Sequence, residues 1–352
     1  MPNVCIKDVA EHAGVSGATI TRVINKKGYV SEKTRKKVLK SIDDLGYIPN
    51  RIASALKNKR TGIIVNVLPL SLDNPFFSNI AVALKNAALK YDYQILPMYN
   101  EPRHNLEDRL LKMTISSMAE GIIFTGDLFS SQKVLKEILN NGIPIIMIER
   151  PMSISGVDKV LVDDFNGSYL TAEKFLAMGH KNLGFIGKEL HTGTVEYNRF
   201  IGYKQSLKKN NIELKEESIV LTPEYSAEYG YNAMEQIIKN SGIYRPTACF
   251  ITSDILVCGA LQYLYDIHLK VPEDISIIGY DNTLSVLCSP PITSVALPYD
   301  DIGETAISLF RERREQNRSY DKIVTLNPFI LDRGSVKDLR MDKHVIMDKS
   351  IL

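Results

Sequence analysis

Two groups of residues in this chain have the types and spacings that chemistry or recognition requires. The first lies inside GVSGATITRVIN, residues 14–25. At 3.6 residues per turn, Gly17, Ala18, Thr21, Arg22 and Asn25 share one helical face, and Ile20, Val23 and Ile24 fall on the other. Small residues let such a face approach a surface closely. Arg22 supplies one planar fork that matches paired acceptors such as guanine O6 and N7. Ser16 reads as the N-cap, and Ser16, Thr21 and Asn25 can bond phosphate oxygens and set register. The second group stands just past apolar, strand-like runs: Asn74 and Phe76, Glu149 and Arg150, Arg199, Tyr225, Ser253 and Asp254, Tyr280 and Asp281, and Tyr299. Aromatics there can stack on sugar or base faces, while arginine and carboxylates bond hydroxyls or an acid group. Bland alternatives stand beside these roles: Asp254 as a helix cap, Phe77 as core, Glu149 and Arg150 as a pair.

Catalytic signatures are missing. There is no G-x-S-x-G elbow, no G-x-x-x-x-G-K-[ST] loop and no H-E-x-x-H, and GFIG at 184–187 is a lone glycine fragment. The six histidines (12, 104, 180, 191, 268 and 344) have no metal-ligand spacing. No enzyme activity, metal or cofactor is therefore expected.

The elements that position the first group are three short helices. IKDVAEHAG puts Ile6, Val9, Ala10 and Ala13 on one face with Asp8 in the first turn, and Gly14 ends the helix. After the second helix comes a turn at Lys27-Gly28. Ser31 then caps a third helix, whose Val38, Leu39, Ile42 and Leu45 complete a small core before Gly46 stops it. Two helices joined by a four-residue turn with a third bracing them form a helix-turn-helix plan. Thirteen lysines and arginines stand against five acids in residues 1–60, a net charge of +8, while the remainder carries −6. A basic head on an acidic body points to a polyanion partner for the head.

IKDVAEHAGVSGATITRVIN followed by GYVSEKTRKKVLKSIDDLGYIPN closely resembles the DNA-binding head of the lactose-repressor/galactose-repressor (LacI/GalR) family, and the resemblance runs through LDNPFF to about Ser335. It implies a cytoplasmic transcriptional regulator, usually a repressor. Such a homodimer reads a palindromic double-stranded operator and answers to a small-molecule effector, most simply a sugar or sugar derivative. Tyr29 joins the DNA-contacting residues on this basis. Cys5 departs from the family's Ser or Thr at the first cap. In the segment NRIASALKNKR (50–60), the family pattern N-x-x-A-R-x-L maps onto Asn50, Ala53 and Leu56, with Ser54 in place of the arginine. A helix that short is marginal alone. The resemblance implies that two copies pair in the minor groove, each wedging its leucine between base steps. Phe76, Glu149, Arg199, Tyr225, Ser253, Asp281 and Tyr299 match the family's effector contacts, with Ser253 where Asn is common; Asp254 is taken with them.

The second group needs a different scaffold. Ten apolar runs between residues 62 and 297 alternate with helical stretches, which argues for parallel sheets covered on both faces, in two lobes. The expected fold class is α/β. A three-helix head (1–49) and a hinge helix (50–60) lead into a two-lobed, periplasmic-binding-protein-like body (61–335), with a tail (336–352) of no assigned role. The resemblance places the lobe crossings near 158, 289 and 322. The first lobe then holds about 61–158 and 289–322, and the second about 159–288 and 323–335. The tail shows no long leucine heptad repeat, which speaks against a tetramer, and dimer versus dimer of dimers stays open. No apolar run reaches the length of a membrane span, and the amino terminus has no apolar core of a signal peptide. Four cysteines without a C-x-x-C pair are expected as buried free thiols. Two other functions fit parts of these observations: a solute-binding protein without DNA function, and a regulator whose effector is a partner protein. The direction of regulation, induction or corepression, is open.

Overall fold

The computed structural model describes residues 4–24, 28–47, 61–69, 74–100, 105–116, 118–126, 132–149, 154–240, 242, 245–316 and 318–340. The chain divides after Thr61 into a small and a large unit.

The small unit holds α1 (Ile6–Ala13), α2 (Gly17–Ile24) and α3 (Glu32–Asp44). Asp8 accepts the Cys5 N–H at 2.7 Å, so an acid at the third helical position ties the start of α1. That bond is also what chiefly holds the Asp8 carboxyl below its ordinary range. Gly14 follows in the left-handed region (φ 59°), where a side chain would be strained, and turns the chain toward α2. Val9, Ala13, Ile20, Val23 and Val38 are buried and form the core with partly buried Ile24, Ile42 and Leu45. Leu39, expected in this core, is 52% exposed. It sits a third of a turn off the stripe of Val38, Ser41, Ile42 and Leu45, and Ser41 takes the inward position instead.

The large unit alternates strand and helix: β1 (Ile63–Pro69), α4 (Pro75–Leu89), β2 (Gln94–Asn100), α5 (Leu106–Ile115), β3 (Gly121–Thr125), α6 (Gln132–Asn140), β4 (Ile145–Ile148) and β5 (Val157–Val162). Then come α7 (Asp164–Ala177), β6 (Leu183–Lys188), α8 (Val195–Lys209), β7 (Ile219–Thr222), α9 (Ala227–Asn240), β8 (Ala248–Ile251), α10 (Asp254–Asp266), β9 (Ser276–Asp281) and β10 (Thr293–Ala296). The sequence closes with α11 (Tyr299–Gln316), β11 (Ile323–Leu326) and β12 (Phe329–Leu331). One sheet runs β11-β5-β4-β3-β1-β2 and the other β12-β10-β9-β8-β6-β7. All pairings are parallel except β12 against β10. The inner strands are buried from end to end, as strands covered by helices on both faces must be.

These pairings correct the expected lobe boundaries. β5 joins β4 and β11, so residues 159–162 belong to the first lobe. β10 pairs with β9, so 293–296 belong to the second, and β11 returns 323–326 to the first. The chain crosses after β5, β10 and β11, at the carboxyl end of a finished strand, rather than before them. β11 was not anticipated as a strand of the first sheet because it is an edge strand whose residues alternate between exposed and half-buried.

Among the described residues, no helix is long and apolar enough to cross a membrane. The cysteines are free, but only Cys249 is buried; Cys258 and Cys288 are half-buried and Cys5 is exposed, against the expectation of burial. A cap residue at the very start of α1 faces solvent, which explains Cys5. Residues 336–340 pack on the second lobe, where His180 bonds the Lys337 carbonyl at 3.0 Å and Leu339 N–H bonds Met178 O at 2.9 Å.

Candidate DNA-reading helix and effector cleft

On α2, Ser16, Ala18 and Arg22 are exposed and Gly17 and Thr21 half-exposed, while Ile20 and Val23 anchor the opposite face. Arg22 has no ion-pair partner among the described residues, so its guanidinium is available to a ligand. Ser16 Oγ accepts the Thr19 N–H at 3.2 Å and thereby caps the helix. Thr21 Oγ1 donates back to Gly17 O at 2.9 Å. Both hydroxyls expected to meet phosphate are thus engaged within the helix. Tyr29, after the turn, is 91% exposed. An aromatic ring so completely in water beside a basic helix is the kind of surface that a partner covers. Asn25, Asn50, Ala53 and Leu56 lie outside the described residues.

In the large unit, the strand ends converge on Arg199. This residue lies on α8 and is almost fully buried. Its Nε donates to Asp164 Oδ1 at 2.7 Å and its Nη1 to Thr252 O at 2.8 Å, with Asp281 Oδ1 3.5 Å from Nη1. The guanidinium stacks 3.9 Å from the centre of the Tyr280 ring. Gly202, one turn along α8, makes this possible. A Cβ there would stand 2.1 Å from Phe165 O, so only glycine lets α8 press on the start of α7, where Asp164 sits.

Asp281 ends β9 in a left-handed conformation (φ 87°) that few non-glycine residues adopt. Ser253 donates to its Oδ2 at 2.8 Å, and the Tyr299 hydroxyl donates to its carbonyl at 3.0 Å, linking the start of α11 to the end of β9. Burial pushes the Asp281 carboxyl up to about 6, against the opposing pull of Arg199. Burial works against the charge on Arg199, but Asp164 and Asp281 outweigh it and hold the guanidinium well above its ordinary range. Glu149 ends β4, also with positive φ (56°), and accepts the Val162 N–H at 2.6 Å. Burial first, then the charge of Asp164, raises its carboxyl well above the usual range. Tyr225 donates to Glu196 at 3.4 Å, and burial raises its phenol, so it stays protonated. Phe76 packs edge-on against Phe77 (5.1 Å) and tilted against Tyr299 (6.2 Å), so one aromatic wall comes from the first lobe. Phe77 itself is packed against the core.

Asp254 does not belong in this set. It is wholly buried, its Oδ2 accepts the N–H groups of Thr283, Leu284 and Ser285, and its Oδ1 accepts Ser294 Oγ. Four donors leave its carboxylate nothing for an effector, and its role is to anchor the connection after β9. Asp164 was missed. Of the two aspartates ending KVLVDD, Asp163 caps α7 by accepting the Asn166 N–H, and Asp164 turns to Arg199. The only signal was the same one that marked Asp281, an acid at a strand end. Arg150 lies outside the described residues.

The model for bacterial regulatory proteins of the lacI family matches residues 5–50, and that for a periplasmic binding protein-like domain matches residues 172–336. The chain is 35% identical over 339 residues to the HTH-type transcriptional regulator DegA of Bacillus subtilis (strain 168), covering 95% of this chain and 98% of that one. It is similar in structure to the Lac repressor dimer bound to operator and the anti-inducer ONPF. There the TM-score is 0.75 at 24% identity, over 95% of this chain and 99% of that one. It is also similar to the transcriptional regulator CelR in its cellobiose complex, with TM-score 0.69 at 24% identity over 94% and 99% of the two chains. From helix-turn-helix head to two-lobed body, the chain belongs to the LacI family of DNA-binding transcriptional regulators and is not an enzyme.

Proposed function

We propose that this regulator is a repressor that binds a palindromic operator as a homodimer and is controlled by an uncharged, polyhydroxylated effector, a sugar or sugar derivative, held between its lobes. Arg22 reads a guanine edge in the major groove, with Gly17 and Ala18 allowing close approach and Ser16, Thr21, Asn25 and Tyr29 meeting the backbone. Asn50, Ala53 and Leu56 form the hinge, and Leu56 wedges the operator's centre. Two-fold symmetry in the protein mirrors the palindrome.

One observation carries the effector reading. Arg199 spends Nε and Nη1 on protein partners and keeps Nη2 without one among the described residues. Beside it stand the Asp281 carboxylate, the Ser253 hydroxyl and the half-buried Tyr225 and Tyr299 rings. A donor next to an acceptor suits a pair of neighbouring hydroxyls. The rings and Phe76 offer apolar faces to a sugar ring. With Asp164 and Asp281 both against the one arginine, an anionic ligand would meet repulsion. The cellobiose held by CelR, on the same fold, agrees with this class. The effector bridges the lobes, shifts their closure and so the spacing of the hinges.

The test is selection of operators from a random duplex pool with and without a panel of neutral sugars, sugar phosphates and nucleosides. Recovery of a palindrome whose occupancy changes with one neutral sugar supports the whole reading. A response confined to a sugar phosphate or nucleoside would overturn the effector class. Sequence-blind, salt-sensitive binding alone would overturn the operator reading.

A further inference from the structure

We propose that Cys258 and Cys288 form an oxidisable dithiol that a hydroperoxide closes to an intramolecular disulfide, tying the β9–β10 connection to α10. The placement follows from the Asp254 anchor. Asp254 holds the N–H groups of Thr283, Leu284 and Ser285 at 2.6–3.1 Å, which fixes this connection against the first turn of α10. Cys258 lies four residues on, hence on the same face of α10 one turn further. From the anchored end the chain makes a tight turn, Leu287 N–H bonding Leu284 O at 2.8 Å, and Cys288 Sγ lies 3.5 Å from the same Leu284 carbonyl. The turn brings Cys288 back against the apolar cluster that Leu256, Val257 and Ala260 of α10 help to build, where its thiol and that of Cys258 interact.

Both thiols are only half-buried, unlike Cys249, whose full burial pushes its thiol above the ordinary range and keeps it inert. Cys288 Sγ donates to the Leu284 carbonyl and so holds its proton, which leaves Cys258 as the nucleophile and Cys288 as the resolving thiol; the mutual contact acts in the same direction, lowering Cys258 and raising Cys288. With hydrogen peroxide as oxidant, the Cys258 sulfur attacks one peroxide oxygen and the O–O bond breaks. This yields a sulfenic acid and, with the thiol proton, water. Cys288 sulfur then attacks the sulfenic sulfur, the S–O bond breaks, and the Cys288 proton leaves with the hydroxide as a second water. Two thiols are oxidised and one peroxide is reduced to two waters. The bridged connection begins at Asp281, and α10 begins next to Ser253, so the bond ties together the two segments carrying those side chains.

Purified full-length protein treated with hydrogen peroxide, then unfolded, is titrated for thiols and mapped by mass spectrometry. The count should fall from four to two. The intact mass should drop by two hydrogens, proteolysis should yield one linked pair of peptides containing Cys258 and Cys288, and dithiothreitol should reverse all three. Cys288→Ser should instead accumulate a trappable sulfenic acid at Cys258, and Cys258→Ser should form no bridge. Amide exchange over residues 282–288 should slow in the oxidised form. Four thiols surviving peroxide, oxidation to sulfinic acid without a bridge, or a bridge to another cysteine would overturn the dithiol. Unchanged exchange in a bridged protein would overturn the claim that the bond restrains the connection.

Discussion

Asp281 makes the body's stability fall as pH rises through the range where most acids help a fold. Its carboxyl sits near 3.8 when unfolded and is pushed up to about 6 in the native protein, because burial outweighs the nearby guanidinium. A native state that holds its proton more tightly than the unfolded chain loses stability as that proton leaves. The contribution is full below about pH 3.8 and gone above about pH 6. A difference of about two pKa units corresponds to about 3 kcal/mol. Asp281 is almost wholly buried, so solvent screening takes little from this figure. The perturbation is Asp281→Asn, which keeps the shape and removes the titration. Arg199 loses part of its pairing in the variant, but that offset is the same at every pH. The assay is thermal unfolding of the effector-free protein from pH 4 to pH 7 in matched ionic strength. Wild type should lose about 3 kcal/mol relative to the variant across that interval, or a melting temperature of order 5–10 °C. Other carboxyls titrate in both proteins and cancel in the comparison. Parallel curves would refute the reasoning and mean that Arg199 and Ser253 hold Asp281 ionised as fully as water does.

Arg22→Ala should weaken operator binding by about 1–3 kcal/mol and relax preference at one base pair, measured by titrating cognate and substituted duplexes; equal weakening on every sequence would make Arg22 a phosphate contact. Gly202→Ala places a methyl 2.1 Å from Phe165 O, so α8 must move away from Asp164. It should cost about 1–3 kcal/mol in unfolding and weaken effector binding as well, read by melting and calorimetry. An effector whose hydroxyl donates to the Asp281 carboxylate should bind about tenfold more weakly at pH 5 than at pH 7, because only the ionised tenth accepts at the lower pH. A flat calorimetric profile would remove Asp281 from the contacts.

How far such a fold is legible depends on whether the deciding partners are near in sequence. The head was readable because its caps, its Gly14 turn and its i, i+3, i+4 stripe are all local; the stripe failed at Ile6, exposed in the first turn of α1, and at Leu39, where Ser41 packs inward instead. The inner strands were readable because burial on both faces leaves an apolar run such as GIIFT or IIMI. The lobe boundary was not. VDKVLV would be an equally good strand in either sheet, and only its pairing with β4 and with β11, some 160 residues on, assigns it. The site shows the same division. Arg199 and Asp281 could be picked out from their places beside strand ends, but the partner that completes Arg199 could not. Asp163 and Asp164 are the same residue type in adjacent positions, and Asp254 occupies a strand end as Asp281 does. What separates them is where backbone N–H groups already wait: Asn166 takes Asp163, and the turn at 283–285 takes Asp254. A buried guanidinium with several donors requires carboxylates that nothing else has claimed. By that rule the two left over, Asp164 and Asp281, are the ones that fold around Arg199.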